Sequence, residues 1–266
     1  MKKLLAILLA LVMVLSLAAC AGEKTPAEET PAEDAPVEET YGEEVSLEEE
    51  PVEEEPNEEL PAEDAALMTY ADYVAAELDM PVTVECYVQN HQSWWDNKIT
   101  VYAADADGAY FLYEMACSEE DAAKLVPGTK IRVSGYKGEW AGEVEIMDAT
   151  FTFVEGADTY IAEPVDATAL LGTDELLSYQ NQLASFKGLT VEEISYKNDG
   201  GDDIYVTLSL DGTSYNFCVE VYLTGTDSDV YTTVGTLKAG DVVDVEGFLY
   251  WYEGVNPHIT AIAIAE

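Results

Sequence analysis

Cys20 is the residue whose surroundings specify a chemistry most sharply. Lys2 and Lys3 precede an apolar run over residues 4–17, which leads into Ala18, Ala19 and Cys20. A positive start, a short apolar core and small residues before a cleavage point describe a secretory signal. The run is shorter than the ~20 apolar residues that span a bilayer core, so cleavage is expected rather than a permanent span. Cys86, Cys117 and Cys218 remain, an odd number for an oxidising compartment. A Cys86–Cys117 disulfide is one reading; three small buried thiols is the favoured one.

Aromatic rings are the second candidate chemistry. Trp94 and Trp95 lie in the polar stretch 90–97, Trp140 in the Gly-rich stretch 137–142, and Trp251 between Tyr250 and Tyr252. Exposed rings beside amides suit a sugar face or a peptide. The competing reading folds at least one Trp back as a plug in the core. His91 and His258 fall in different halves with no Cys pair at metal spacing, so zinc is not expected. Asp199, Asp202 and Asp203 offer oxygens to calcium, but no EF-hand spacing with a Glu at position twelve is present, and a solvated turn is expected. There is no nucleophile motif, phosphate loop or paired catalytic constellation. The chain is expected to be non-enzymatic and to need no cofactor; a hydrolase with a dispersed site is a remote alternative.

Charge sets the outer limits. The chain carries 54 Asp and Glu against 11 Lys and Arg, a formal charge of −43. Residues 21–65 hold 19 of the acids and one lysine. Over 25–64 they form eight pentads that each end in two acids, six with Pro at the second place. Pro at this density blocks helix, and clustered like charges prevent collapse. An extended, solvated tether is expected, with folded sequence from about residue 66. An acidic field repels nucleic-acid phosphates and anionic headgroups, so nucleic acid is disfavoured as a partner.

The elements that must position these residues are mostly strands. Thr69 and Asp72 have capping-box spacing, and Tyr70, Tyr73, Val74 and Leu78 share one helical face, giving a short helix that ends before Pro81. Val82, Val84, Cys86 and Val88 alternate, as do Ile99, Val101 and Ala103. A turn at 105–108 leads into Tyr110, Phe111, Leu112 and Tyr113. Ser118 caps a second short helix, and Ile131, Val133 and Gly135 begin a Gly-led strand. At an offset of 112, Leu125, Gly128, Ile131, Val133, Gly135 and Gly142 match Leu237, Gly240, Val243, Val245, Gly247 and Gly254. Ordered matches of apolar and Gly positions indicate a duplicated unit.

Two resemblances follow. Leu17-Ala18-Ala19-Cys20 resembles the lipobox of bacterial lipoproteins, which implies lipidation at Cys20 and an extracytoplasmic, membrane-tethered protein. Each repeat resembles an OB-fold of the tRNA-anticodon class. The residues that carry this are Val82-Thr83-Val84, the 105–108 turn, Leu125-Val126-Pro127-Gly128, Ile131 to Gly135 and Gly142. In the second copy they are Asp211-Gly212, Leu237 to Gly240, Val243 to Gly247 and Gly254. The resemblance implies an all-β chain with short helices: two tandem five-stranded Greek-key barrels over 66–158 and 159–266, after a signal at 1–19 and an acidic linker at 20–65. OB-folds bind on strands 2 and 3 between the loops joining strands 1–2 and 4–5. Trp94, Trp95 and Trp140 then frame one groove with Tyr110, and Trp251 belongs to the second. A carbohydrate, peptide or protein ligand is expected, with nucleic acid as the alternative that the fold itself suggests.

Overall fold

The computed structural model describes residues 66–198 and 200–265. The signal, Cys20 and the acidic pentads lie outside the described residues, as does Asp199.

Thr69 closes a capping box with Asp72 and starts α1 (Tyr70–Ala75). The helix stops short of Leu78. Tyr73 is buried, while Val74 and Leu78 are exposed, so the apolar face is narrower than its periodicity implies. What holds α1 is Lys137, whose Nζ donates to the carbonyls of Tyr73, Val74 and Ala76 at 3.0, 2.8 and 2.8 Å. Those carbonyls lie at the helix end, where intrahelical donors run out, although the Tyr73 carbonyl also accepts from the Ala76 N–H at 3.2 Å.

Five strands follow: β1 (Pro81–His91), β2 (Lys98–Ala104), β3 (Ala109–Ala116), β4 (Lys130–Trp140) and β5 (Glu143–Phe153). The short α2 (Glu119–Ala122), capped by Ser118, connects β3 to β4. The strands close in the order β1-β2-β3-β5-β4, with β3 and β5 parallel. This is the five-stranded OB topology, read from the strand pairings themselves. Val82, Val84, Cys86, Val88, Val101, Tyr110, Leu112, Ile131, Val133 and Ile146 fill the barrel. Alternation fixes that set, because a closed sheet has only an inside and an outside.

A connector carries β6 (Val165–Asp166) and two 3₁₀ turns, Thr168–Leu170 and Asp174–Tyr179. The second set is β7 (Leu183–Tyr196), β8 (Ile204–Leu210), β9 (Thr213–Val219), α3 (Val221–Thr224), α4 (Asp229–Val234), β10 (Val242–Phe248) and β11 (His258–Ile264). Its order is β10-β11-β9-β8-β7-β6, and β10 also pairs with β7, so β7 to β11 close as the first set does. Gly135 and Gly247 both sit where a ladder shifts register. A Cβ on Gly135 would stand 2.6 Å from the Met147 carbonyl oxygen, and one on Gly247 would strike the His258 carbonyl. The repeated glycines therefore serve the same bend twice.

Tyr102 on β2 and Phe111 on β3 point away from the first core and are still buried, at 0% and 3% exposure. Phe248, Leu223, Leu183 and Tyr250 of the second barrel cover them. Tyr102 stacks on Phe248 with ring centroids 4.3 Å apart and interplanar angle 9°. Its hydroxyl pairs with Nδ1 of buried His258 at 2.7 Å. The strand 2–3 face of the first barrel is thus where the second barrel docks.

Candidate functional site

Docking leaves one end of that face open. The loop between β1 and β2 carries Trp94 and Trp95, and it meets α3 of the second barrel. Ser93 donates to the Tyr222 carbonyl through its backbone N–H at 2.7 Å and its Oγ at 3.2 Å. Between them opens a cleft of about 380 Å³ bordered by Gln92, Trp94, Trp95, Lys98, Glu114 and Tyr222. Trp95 is 72% exposed and Tyr222 61%. Both residues line the cleft. The Lys98 ammonium pairs with Glu114 at 2.7 Å on the open rim, and this contact raises the lysine pKa.

The expected site residues do not gather in one groove. Trp94 is half-buried against the first core, and its indole N–H donates to the Cys117 carbonyl at 2.8 Å. It is the plug, and it floors the cleft from beneath. Tyr110 is fully buried; its hydroxyl donates to Asp105 at 2.8 Å and its ring packs on Tyr70 and Tyr73. Tyr110 is therefore core and no part of a ligand surface. Its strand position explains the error, because β3 alternates and Tyr110 falls on the inner side. Trp140 is 56% exposed but packs on Tyr252 of the second barrel at 5.2 Å. Trp251 is half-buried against the second core. No ring contact brings Trp140 to Trp94 or Trp95.

Other candidates have structural work. Cys86, Cys117 and Cys218 are free and buried, so the disulfide reading gives way to three small core thiols; burial pushes the Cys117 thiol up to about 11. Asp203 accepts from the Val221 N–H at 3.0 Å and pairs with Lys197 at 3.0 Å, which orders the start of α3. His91 Nδ1 pairs with the Gln92 carbonyl at 2.7 Å. Tyr222 escaped the sequence reading because nothing in its neighbourhood marks the face onto which α3 folds.

No protein-family model and no curated protein matches the chain. Solved structures that resemble it include a murine DNA-binding protein bound to double-stranded DNA: 11% identity, TM-score 0.35, covering 70% of this chain and 96% of that one. A p204 HINb domain gives 13% identity, TM-score 0.32 and coverage of 71% and 98%. An Ifi202 HINa domain in complex with a 20-base-pair duplex gives 13%, 0.33, and 68% and 92%. These findings run against the expected partners. The sequence points to a carbohydrate, peptide or protein ligand and away from nucleic acid, whereas two of these three structures hold DNA. The carbohydrate, peptide or protein ligand taken from the sequence is withdrawn.

Proposed function

We propose that this chain is a non-enzymatic OB-fold protein that takes unpaired nucleotide bases in the Trp95–Tyr222 cleft. We further propose that it works outside the cytoplasm, tethered by a lipid on Cys20. The observation that carries the binding reading is a cleft lined by two exposed aromatic residues, Trp95 on the loop that OB-folds use for oligonucleotides and Tyr222 on α3 opposite it. Base stacking on aromatic rings tolerates any sequence and is worth about 1–3 kcal/mol per base. Lys98 stands where a phosphate could replace Glu114 as its partner.

The acidic surface sets the terms of binding. Ordinary nucleic-acid proteins lose affinity as salt rises, because they release counterions. Here salt and divalent cations screen repulsion between two polyanions, so affinity rises with ionic strength. Stacking on a single strand survives this screening, whereas tracking of a duplex backbone needs the cations this surface lacks.

The test is fluorescence anisotropy with labelled single-stranded and duplex oligonucleotides, with and without magnesium, at low and moderate salt. Single-strand binding that strengthens with magnesium and drops tenfold or more in Trp95→Ala is expected. Absence of binding to any oligonucleotide, or unchanged affinity in that variant, would overturn the reading. For the tether, Cys20→Ser should abolish detergent partitioning; a variant that partitions normally defeats the lipid anchor.

A further inference from the structure

The hairpin at 140–144, between β4 and β5, is held by the second barrel almost atom by atom. Gln180 Nε2 donates to the Gly142 carbonyl at 2.8 Å, and Asn181 Nδ2 to the Val144 carbonyl at 3.0 Å. The Glu253 N–H donates to the Ala141 carbonyl at 2.8 Å. At the centre is Glu143, with no exposed surface. Its Oε2 accepts from the Trp251 N–H at 2.8 Å and from Gln180 Nε2 at 3.2 Å. Its Oε1 has no partner, and neither does Oδ1 of Asn181, whose amide lies against the same carboxyl.

We infer that this seam is a proton-dependent latch: a neutral Glu143 closes the hairpin onto the second barrel, and ionised Glu143 releases it. Two facts support this. A proton on the carboxyl supplies a donor among oxygens that otherwise only accept. An unpaired carboxylate buried away from water is costly, and such a group stays neutral instead.

The groups that face Glu143 reinforce the neutral form. Glu145 shares its strand, Tyr73 comes from α1 and Tyr102 from β2. Tyr250 comes from the opposing loop. None is a cation, and Lys137 on β4 spends its ammonium on α1 carbonyls. Burial raises the Glu143 pKa to about 8, against the Trp251 N–H and the neighbouring Asn181 and Gln180 amides. The sign follows from proton linkage. The closed seam holds a proton that the parted, hydrated carboxyl gives up in its ordinary range. The closed form therefore loses about tenfold in relative population per pH unit from that range up to about 8, and nothing further above it.

The test uses the full chain. The Trp251 and Glu253 N–H groups report the seam directly, so their hydrogen-exchange protection is followed from pH 6 to 9.5, with Val133 as a core control. A fall of tenfold or more at both seam amides, a steady core and flat protection in Glu143→Gln are expected. Flat wild-type protection, or a parallel fall in Glu143→Gln, would overturn the latch. Should that variant fail to fold, the carboxyl carbon shift of Glu143 in the wild type decides: a midpoint near 8 is expected, and one in the ordinary carboxylate range refutes the inference.

Discussion

Gly135 and Gly247 show how little room a closed five-stranded barrel leaves. Each lies where its strand bends, and each would drive a Cβ into the carbonyl of a neighbouring strand. Forcing atoms into a packed site costs about 1–3 kcal/mol, more where backbone must move. Gly135→Val and Gly247→Val should each lower the denaturation midpoint in chemical unfolding by that much or more; a neutral result at either would show that the bend can relax. These glycines were legible in the sequence because their spacing repeats. Tyr110 was misplaced for a related reason. A strand shows which residues alternate, but in a barrel one aromatic inside and the next outside look the same until the closure is known.

At the scale of elements, α1 is only six residues long and is too short to stand alone. It is docked by a buried lysine from β4, with the ammonium 5.3 Å from the Tyr73 ring centroid as well. Hydrogen bonds to a charged group are worth about 1.5–3 kcal/mol. Lys137→Met keeps the aliphatic stem and removes the donors. It should cost about 2 kcal/mol and lower Tm by several degrees. Loss of α1 signals in the far-UV spectrum should accompany it. An unchanged melt would show that Tyr73 packing alone suffices. The capping box predicted where this helix begins. Nothing local predicted Lys137, since it lies more than 60 residues along the chain and its role depends on barrel closure.

The whole molecule is shaped by which face was covered. The order of elements along the chain and the turn at 105–108 were readable because each depends on local pattern. The docking of one barrel on the other was not, because Tyr102 and Phe111 read equally well as ligand-facing aromatics and as interface residues. Residues 66–158 alone should still fold with a cooperative melt, since their core is self-contained. With Tyr102 and Phe111 uncovered, that fragment should self-associate, and Tyr102→Ser with Phe111→Ser should return it to a monomer in sedimentation. A monomeric wild-type fragment would count against the interface. Stability of the full chain should also depend on pH. Burial pushes Glu143 to about 8 and both Glu145 and Glu220 to about 7, so the folded state holds protons that the unfolded chain loses at its ordinary carboxylate values. Stability then falls as pH rises through that window. Buried His258 is lowered to about 4, so its contribution is lost as pH falls from the ordinary histidine range through 4. Melts should be higher near pH 5 than at pH 8.5, because three raised carboxyls outweigh one lowered histidine; a higher Tm at pH 8.5 would contradict the buried carboxyls.

The stacked Tyr102 and Phe248 rings have a consequence for counting. Linked copies of a binding module normally gain avidity, because the second engagement is intramolecular at high effective concentration. Here the strand 2–3 face of the first barrel is covered by the second. Under the proposed function the chain then offers a single site, the cleft, and a long strand gains no cooperative grip by spanning both barrels. Saturation should come at one short oligonucleotide per chain, and lengthening that oligonucleotide should add statistical sites without a steeper binding curve.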